Sequence, residues 1–181
     1  LLASTMNDAY KKVRPGGICC LIMSGSLSDE SDTVTIADAG AISSFENKWR
    51  MREEIIWVRD DVRGLKGSEV LSLDITPFSH IFILERAGSS TEFVSRMERH
   101  SSGDMPERGS DEIVDSVWYV SAKNSGRGPN IIPDEIATRL ILSYTIPGDT
   151  VSDQLGRGGI VAQMAKKYGR KYKVISKIKD A

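Results

Sequence analysis

Pro147-Gly-Asp-Thr-Val-Ser-Asp153-Gln-Leu-Gly156-Arg-Gly158-Gly159 decides how this chain is read. A β-branched run feeds a Gly-rich turn, the turn opens an amphipathic helix over 159–168, and Gly169-Arg-Lys-Tyr-Lys-Val-Ile-Ser176 supplies a second strand at 172–176. Strand, glycine turn, helix and strand make half of a nucleotide-type site, because glycine lets the backbone approach a ligand closely. The unit stands last in the chain, where most nucleotide-binding folds place it first.

Upstream of it, helices and strands alternate. Leu2, Met6, Ala9, Tyr10 and Val13 fall at helical spacing over 2–13, and Pro15-Gly16-Gly17 stops that helix. Ile18-Cys-Cys-Leu-Ile-Met23 reads as a strand apolar on both faces, the pattern of a parallel sheet covered by helices. Residues 24–40 are a Ser/Asp/Gly-rich loop, and Ala41 to Met51 fits a helix with Ile42, Phe45 and Trp49 on one face. Strands are predicted at Glu54–Val58, His80–Leu84 and Ser116–Val120, with a polar connection over 60–75. Pro133-Asp-Glu135 opens a helix with acids in its first turn, where the helix dipole favours them, and Ile136, Leu140 and Ile141 form its buried stripe. This order implies a mainly parallel α/β sheet with helices on both faces.

Composition narrows the function classes. The chain has 181 residues, 40% hydrophobic and 27% charged, with a net charge of −1, all ordinary for one globular domain. Charge alone does not announce a nucleic-acid partner, although a local basic patch can be balanced elsewhere. Cys19 and Cys20 are neighbours in an apolar run, which argues against disulfides or a metal site and for a reducing, cytoplasmic compartment. No apolar run reaches the length of a membrane span. Residues 87–115 are polar and carry Arg96, Arg99, His100 and Arg108 among acids, as either a solvated insertion or a recognition segment. Trp57, Trp118 and Tyr119 read as core or pocket-wall aromatics, and His80 as a structural or surface residue.

Four segments together resemble the amino-group DNA methyltransferases. Tyr10-Lys-Lys-Val-Arg-Pro15-Gly16-Gly17 is similar to their helix-to-strand turn, and Ile55-Ile56-Trp57-Val58 to a later strand. Val117-Trp118-Tyr119 followed by Asn130-Ile-Ile-Pro133-Asp-Glu-Ile-Ala-Thr-Arg139 is similar to their element before the cofactor half. Pro147 through Arg170 resembles their S-adenosylmethionine (AdoMet) motif. The order matches the permuted class, in which the target-base half precedes the AdoMet half. The resemblance implies a Rossmann-like AdoMet-dependent methyltransferase fold over 1–181. Residues 1–86 would form the target-base half, 87–115 a target-recognition insertion and 116–181 the AdoMet half. It further implies methyl transfer from AdoMet to the exocyclic amine of adenine or cytosine in a flipped nucleotide, as in restriction-modification systems. DNA is the implied partner, with a partner subunit or homodimer left open. AdoMet contacts are implied at Asp153, Leu155, Gly156, Gly158, Gly159 and Ser176, and at Ile132. No metal is implied.

The chain also departs from the family pattern. Its six prolines are never adjacent, so the family's Pro-Pro catalytic tetrapeptide is not in this sequence. It would fall upstream of the helix at 2–13. Leu1 opens inside a helix pattern without a cap, which favours a chain incomplete at its amino end over one that never had the motif. No residue here is therefore assigned a catalytic role. Arg157 stands at a glycine position, Ile160 and Val161 at two hydroxyl positions, and Ser176 where an acid would accept the ribose hydroxyls. Each charged hydrogen bond lost there costs roughly 1.5–3 kcal/mol, about tenfold to a hundredfold in affinity. Two readings follow: a DNA methyltransferase present as a fragment or degenerate copy, or a non-catalytic methyltransferase-fold subunit that binds DNA or a protein. A nicotinamide-type dinucleotide domain is disfavoured, because no acid follows the second strand. The leading reading places residues 17–23 and 150–153 side by side as parallel strands.

Overall fold

A computed structural model describes residues 2–24, 48–59, 78–88, 93–95, 98–99, 113–121, 132–153 and 159–174. The chain forms two compact units, Leu1–Phe93 with Asp115–Tyr119, and Val94–Val114 with Val120–Ala181.

The first unit holds α1 (Leu2–Lys12), β1 (Ile18–Ser24), β2 (Trp49–Val58), β3 (Phe78–Arg86) and β4 (Val117–Tyr119). Its sheet runs β1-β3-β2-β4. β3 lies antiparallel to both β1 and β2, and β4 is parallel to β2. Alternation along the strands sorts side chains to two faces. Met6 and Ala9 of α1 cluster with Trp49, Phe82 and Leu84, and Cys19, Leu21 and Met23 pack around them. On the other face Ile22 and Ile55 both lie opposite Ile81, and Trp57 lies opposite Trp118. Trp118 is fully buried, so its removal would cost about 3–5 kcal/mol.

The turn from α1 into β1 is tied to the end of β3. Gly16 N–H donates to Arg86 O at 2.9 Å, and Arg86 N–H donates to Gly17 O at 2.9 Å. The Arg86 guanidinium lies over the Tyr10 ring, 4.3 Å from its centroid, and its Nη1 donates to the Val13 carbonyl. Gly17 has no room for a side chain, since a Cβ there would meet Val13 Cγ1 at 2.6 Å and Arg14 O at 2.8 Å.

The second unit contains α2 (Asp134–Tyr144), β5 (Thr150–Asp153), α3 (Ile160–Lys167) and β6 (Lys171–Val174). β5 and β6 pair in parallel with Thr150 opposite Lys171 and Asp153 opposite Val174. α3 packs against both strands and against α2. The predicted stripe of Ile136, Leu140 and Ile141 is buried, joined by Ala137 and Leu142. On α3, Ile160 and Ala165 are buried while Lys166 and Lys167 face solvent in the last turn, where the dipole favours cations.

Several expectations change. The four-stranded sheet is mixed, with one parallel and two antiparallel pairings, whereas β5 and β6 pair in parallel. An apolar run on both faces of β1 reports burial on both faces, and burial does not fix strand direction. The predicted pairing of 17–23 with 150–153 is not found among the described residues, where β1 pairs with β3 and β5 with β6. β3 occupies one edge of β1 along all seven residues from Ile18 to Ser24, and β5 finds its parallel neighbour in β6. The helix expected over 41–51 does not reach its end, because Trp49, Arg50 and Met51 belong to β2 and pair with Arg86, Glu85 and Leu84. Residues 41–47 lie outside the described residues, as do the loop at 25–40 and the connection at 60–75. Tyr119 is 54% exposed, so it is no core aromatic, whereas Trp57 and Trp118 are buried.

Candidate cofactor site

The site builds from β5 and β6. Because the two strands are parallel, their carboxyl ends coincide, and ligands of open α/β sheets sit beyond such ends. Asp153 closes β5 there, half-buried. Gly159 precedes α3 with φ 67° and ψ 10°, and no side chain caps the helix. A side chain at Gly159 would meet no atom within 4 Å, so glycine is kept by its left-handed backbone and leaves open space. Ile132 is half-buried on the approach to α2. Leu155, Gly156, Gly158, Arg157 and Ser176 lie outside the described residues. Of the predicted contacts, the structure thus places Asp153 at the end of β5 and Gly159 at the start of α3.

Tyr172 lies opposite Val151 on β6, and the sequence reading did not single it out. Burial, and then the charge of Asp153, pushes its phenol above the ordinary value. The base of the unit is a clasp. Gly148 N–H donates to Gly169 O at 2.9 Å, and Lys171 N–H donates to Asp149 O at 2.8 Å. Asp149 Oδ2 accepts the Ile146 N–H at 2.9 Å. Arg170 reaches the end of α2: Nε donates to Thr145 Oγ1 at 2.8 Å and Nη2 to the Thr145 carbonyl at 2.6 Å, while Nη1 donates to the Tyr168 carbonyl at 2.6 Å. Burial, partly offset by Asp149 and reinforced by Arg99, lowers the Arg170 pKa from its ordinary value. The Pro147-Gly148-Asp149 and Gly169-Arg170 ends of the motif therefore set the strand register.

Other candidates resolve into structural roles. His80 Nδ1 lies 2.7 Å from Glu54 Oε1, both half-exposed, and its ring stacks on Phe82 at 5.7 Å. Cys19 and Cys20 are free thiols. Burial pushes Cys19 up to about 11, and burial with the neighbouring Cys19 and Glu53 raises Cys20 further, so both stay protonated and weakly nucleophilic. Among the described residues no helix is long and apolar enough to cross a membrane.

The family described as DNA methylase, the N6 and N4 amino methyltransferases, matches residues 1–180. The chain belongs to that DNA methylase family. No curated protein matches it by sequence. Among solved structures, the chain is similar to TTHA0409 of Thermus thermophilus, assigned as a DNA modification methylase, with TM-score 0.64 and 17% identity over 92% of this chain and 66% of that one. It is also similar to the cytosine-N4-specific PvuII DNA methyltransferase, with TM-score 0.66 and 13% identity over 96% and 64%. A third likeness is to M1.HpyAVI in complex with SAM, with TM-score 0.62 and 16% identity over 96% and 74%. The chain spans just under two thirds of the first two structures. At these identities the likenesses establish a shared methyltransferase fold.

Proposed function

We propose that this chain is part of a DNA methyltransferase that transfers a methyl group from AdoMet to the exocyclic amine of adenine or cytosine, with the target-base half preceding the AdoMet half. The observation that carries this reading is the β5–Gly159–α3–β6 crossing, with Asp153 at the strand end and a left-handed glycine opening the helix. The open backbone at Gly159 and the acid at Asp153 suit a cofactor that carries hydroxyl and amino donors. Leu155, Gly156, Gly158, Ile132 and Ser176 would complete its contacts. AdoMet, when bound, would supply an electrophilic methyl group. Residues 87–115 would read DNA, a cytoplasmic location goes with this reading, and a partner subunit or second copy remains compatible with it.

A second reading, a non-catalytic subunit of the same fold, has its own support. Ile160 stands where the family carries a hydroxyl, and it is only 2% exposed. That side chain has been recruited into packing and offers the site no donor. Calorimetry with AdoMet on the naturally encoded protein separates the two. Binding that weakens at least tenfold in Asp153→Ala supports the methyltransferase, and micromolar affinity excludes the second reading. No detectable AdoMet binding with DNA binding retained supports the second. Ser176→Glu with Arg157→Gly is expected to raise AdoMet affinity by about tenfold or more through restored charged hydrogen bonds. No gain would mean that these positions are misassigned.

A further inference from the structure

β2 holds both feet of the excursion formed by residues 94–114. The chain leaves the first unit after Phe93 and re-enters it at Asp115. On return, β4 pairs in parallel with Ile56, Trp57 and Val58, and Ile56 N–H donates to Ser116 O at 2.8 Å. On departure, the contact is made by Arg52. The ladder between β2 and β3 slips between Met51 and Glu53, making Arg52 the extra residue of a bulge. Bulges commonly re-aim one side chain. Here the guanidinium is directed to Glu85, with Nε donating to Oε2 at 2.6 Å and Nη2 paired with the same oxygen. It also lies over the Phe93 ring, 5.4 Å from the centroid.

Glu85 explains why Arg52 stays there. Its side chain is 3% exposed on the central strand, and a carboxylate that buried must keep its partner. A planar guanidinium held by one edge can present its face to an aromatic ring, which an ammonium cannot do equally well. We infer that Arg52, held by Glu85, is a positioning residue that fixes Phe93, where the chain leaves the first unit, and that DNA binding by the segment that follows depends on it. This rests on the reading of that segment as the part that meets DNA. The two feet are four residues apart on β2, roughly 13 Å of extended strand.

Arg52→Lys tests the inference because it keeps a cation for Glu85 and loses the planar contact with Phe93. Phe93→Leu serves as the second variant, keeping apolar bulk without the ring. Hydrogen exchange, AdoMet calorimetry and anisotropy with a mixed-sequence DNA duplex are measured on the naturally encoded protein. Both variants are expected to speed exchange at residues 93–95 by about tenfold. Amides of Ile81 and Ile83 should stay unchanged. Duplex affinity should fall several-fold with AdoMet affinity unmoved, a split that general destabilisation would not produce. Exchange at 93–95 equal to wild type in Arg52→Lys overturns the anchor. A wild-type protein with no duplex affinity overturns the recognition reading instead, and the exchange data still decide whether Arg52 holds Phe93.

Discussion

Two helix-to-strand turns in this chain use nearly the same punctuation, Arg14-Pro15-Gly16-Gly17 ahead of β1 and Ile146-Pro147-Gly148-Asp149 ahead of β5. In each, an arginine distant in sequence donates to a carbonyl at the end of the preceding helix, Arg86 to Val13 and Arg170 to Thr145. In each, two backbone hydrogen bonds tie the turn to the segment bearing that arginine. The solutions differ in detail. Arg170 satisfies its Nε with the Thr145 hydroxyl, whereas Arg86 leaves a buried Nε without a hydrogen-bond partner and sets its guanidinium over Tyr10. Gly17 is required by space, and Gly148, with φ 91° and nothing near a built Cβ, by conformation. The same letters thus answer two physical demands, steric at one turn and torsional at the other.

Substitutions should separate those demands. Gly17→Ala is expected to be the most damaging, about 3 kcal/mol, because the new methyl meets a β-branched side chain and a backbone oxygen. Denaturant unfolding that shows less than a third of that loss would mean the α1–β1 turn can relax. Arg170→Met should follow at about 2 kcal/mol, since three charge-assisted hydrogen bonds go but the site is only partly buried. Gly148→Ala should cost about 1 kcal/mol, the strain of a left-handed backbone, and Gly148→Asn less. Equal losses at Gly17 and Gly148 would erase the distinction drawn above.

The smallest effect concerns a helix start, in contrast to these helix ends. Ser95 N–H donates to Glu98 Oε2 at 2.7 Å, and Glu98 N–H donates to Ser95 Oγ at 3.2 Å, a reciprocal cap. Hydrogen bonding from the Ser95 side chain, and then from its backbone N–H, holds the Glu98 carboxyl below its ordinary value. The cap is therefore fully present above the ordinary glutamate range and is lost as pH falls through the depressed value. The Ser95 amide proton should shift in NMR over that acid window, and a flat titration would show that the cap does not form in solution.

Much of the fold was legible because it rests on local signals. Prolines and glycines mark both turns, and Ile136, Leu140 and Ile141 keep helical period through α2. The β5–α3–β6 unit was readable from its β-branched run, its glycines and the amphipathic helix that follows them. Strand direction was not, because β1 and β3 are apolar on both faces and carry no sign of orientation. The extension of β2 back to Trp49 was hidden for a related reason. Trp49 fits a helical face with Phe45 in sequence, but it pairs with Arg86 across the sheet. The Ser95-Arg-Met-Glu98 cap was visible in the letters and was overshadowed by the charge of its surroundings. Arg170 could be seen as part of a motif, yet its partner Thr145 lies 25 positions away. No spacing rule connects them. The positions of Asp153 at a strand end and Gly159 at a helix start were legible because neighbours in sequence set them, whereas the position of Tyr172 opposite Val151 depends on pairing across the crossing.

The bulge at Arg52 also bears on how such a protein could diversify. A segment fastened at two nearby points of a single strand can be lengthened, shortened or exchanged for another, provided the replacement still begins with an aromatic ring and returns as a short parallel strand. Loop-closure cost grows only with the logarithm of length, so the exchange would disturb the rest of the fold little. On the proposed reading of that segment as the part that meets DNA, new sequence preferences would arise by swapping a cassette rather than by rebuilding the framework.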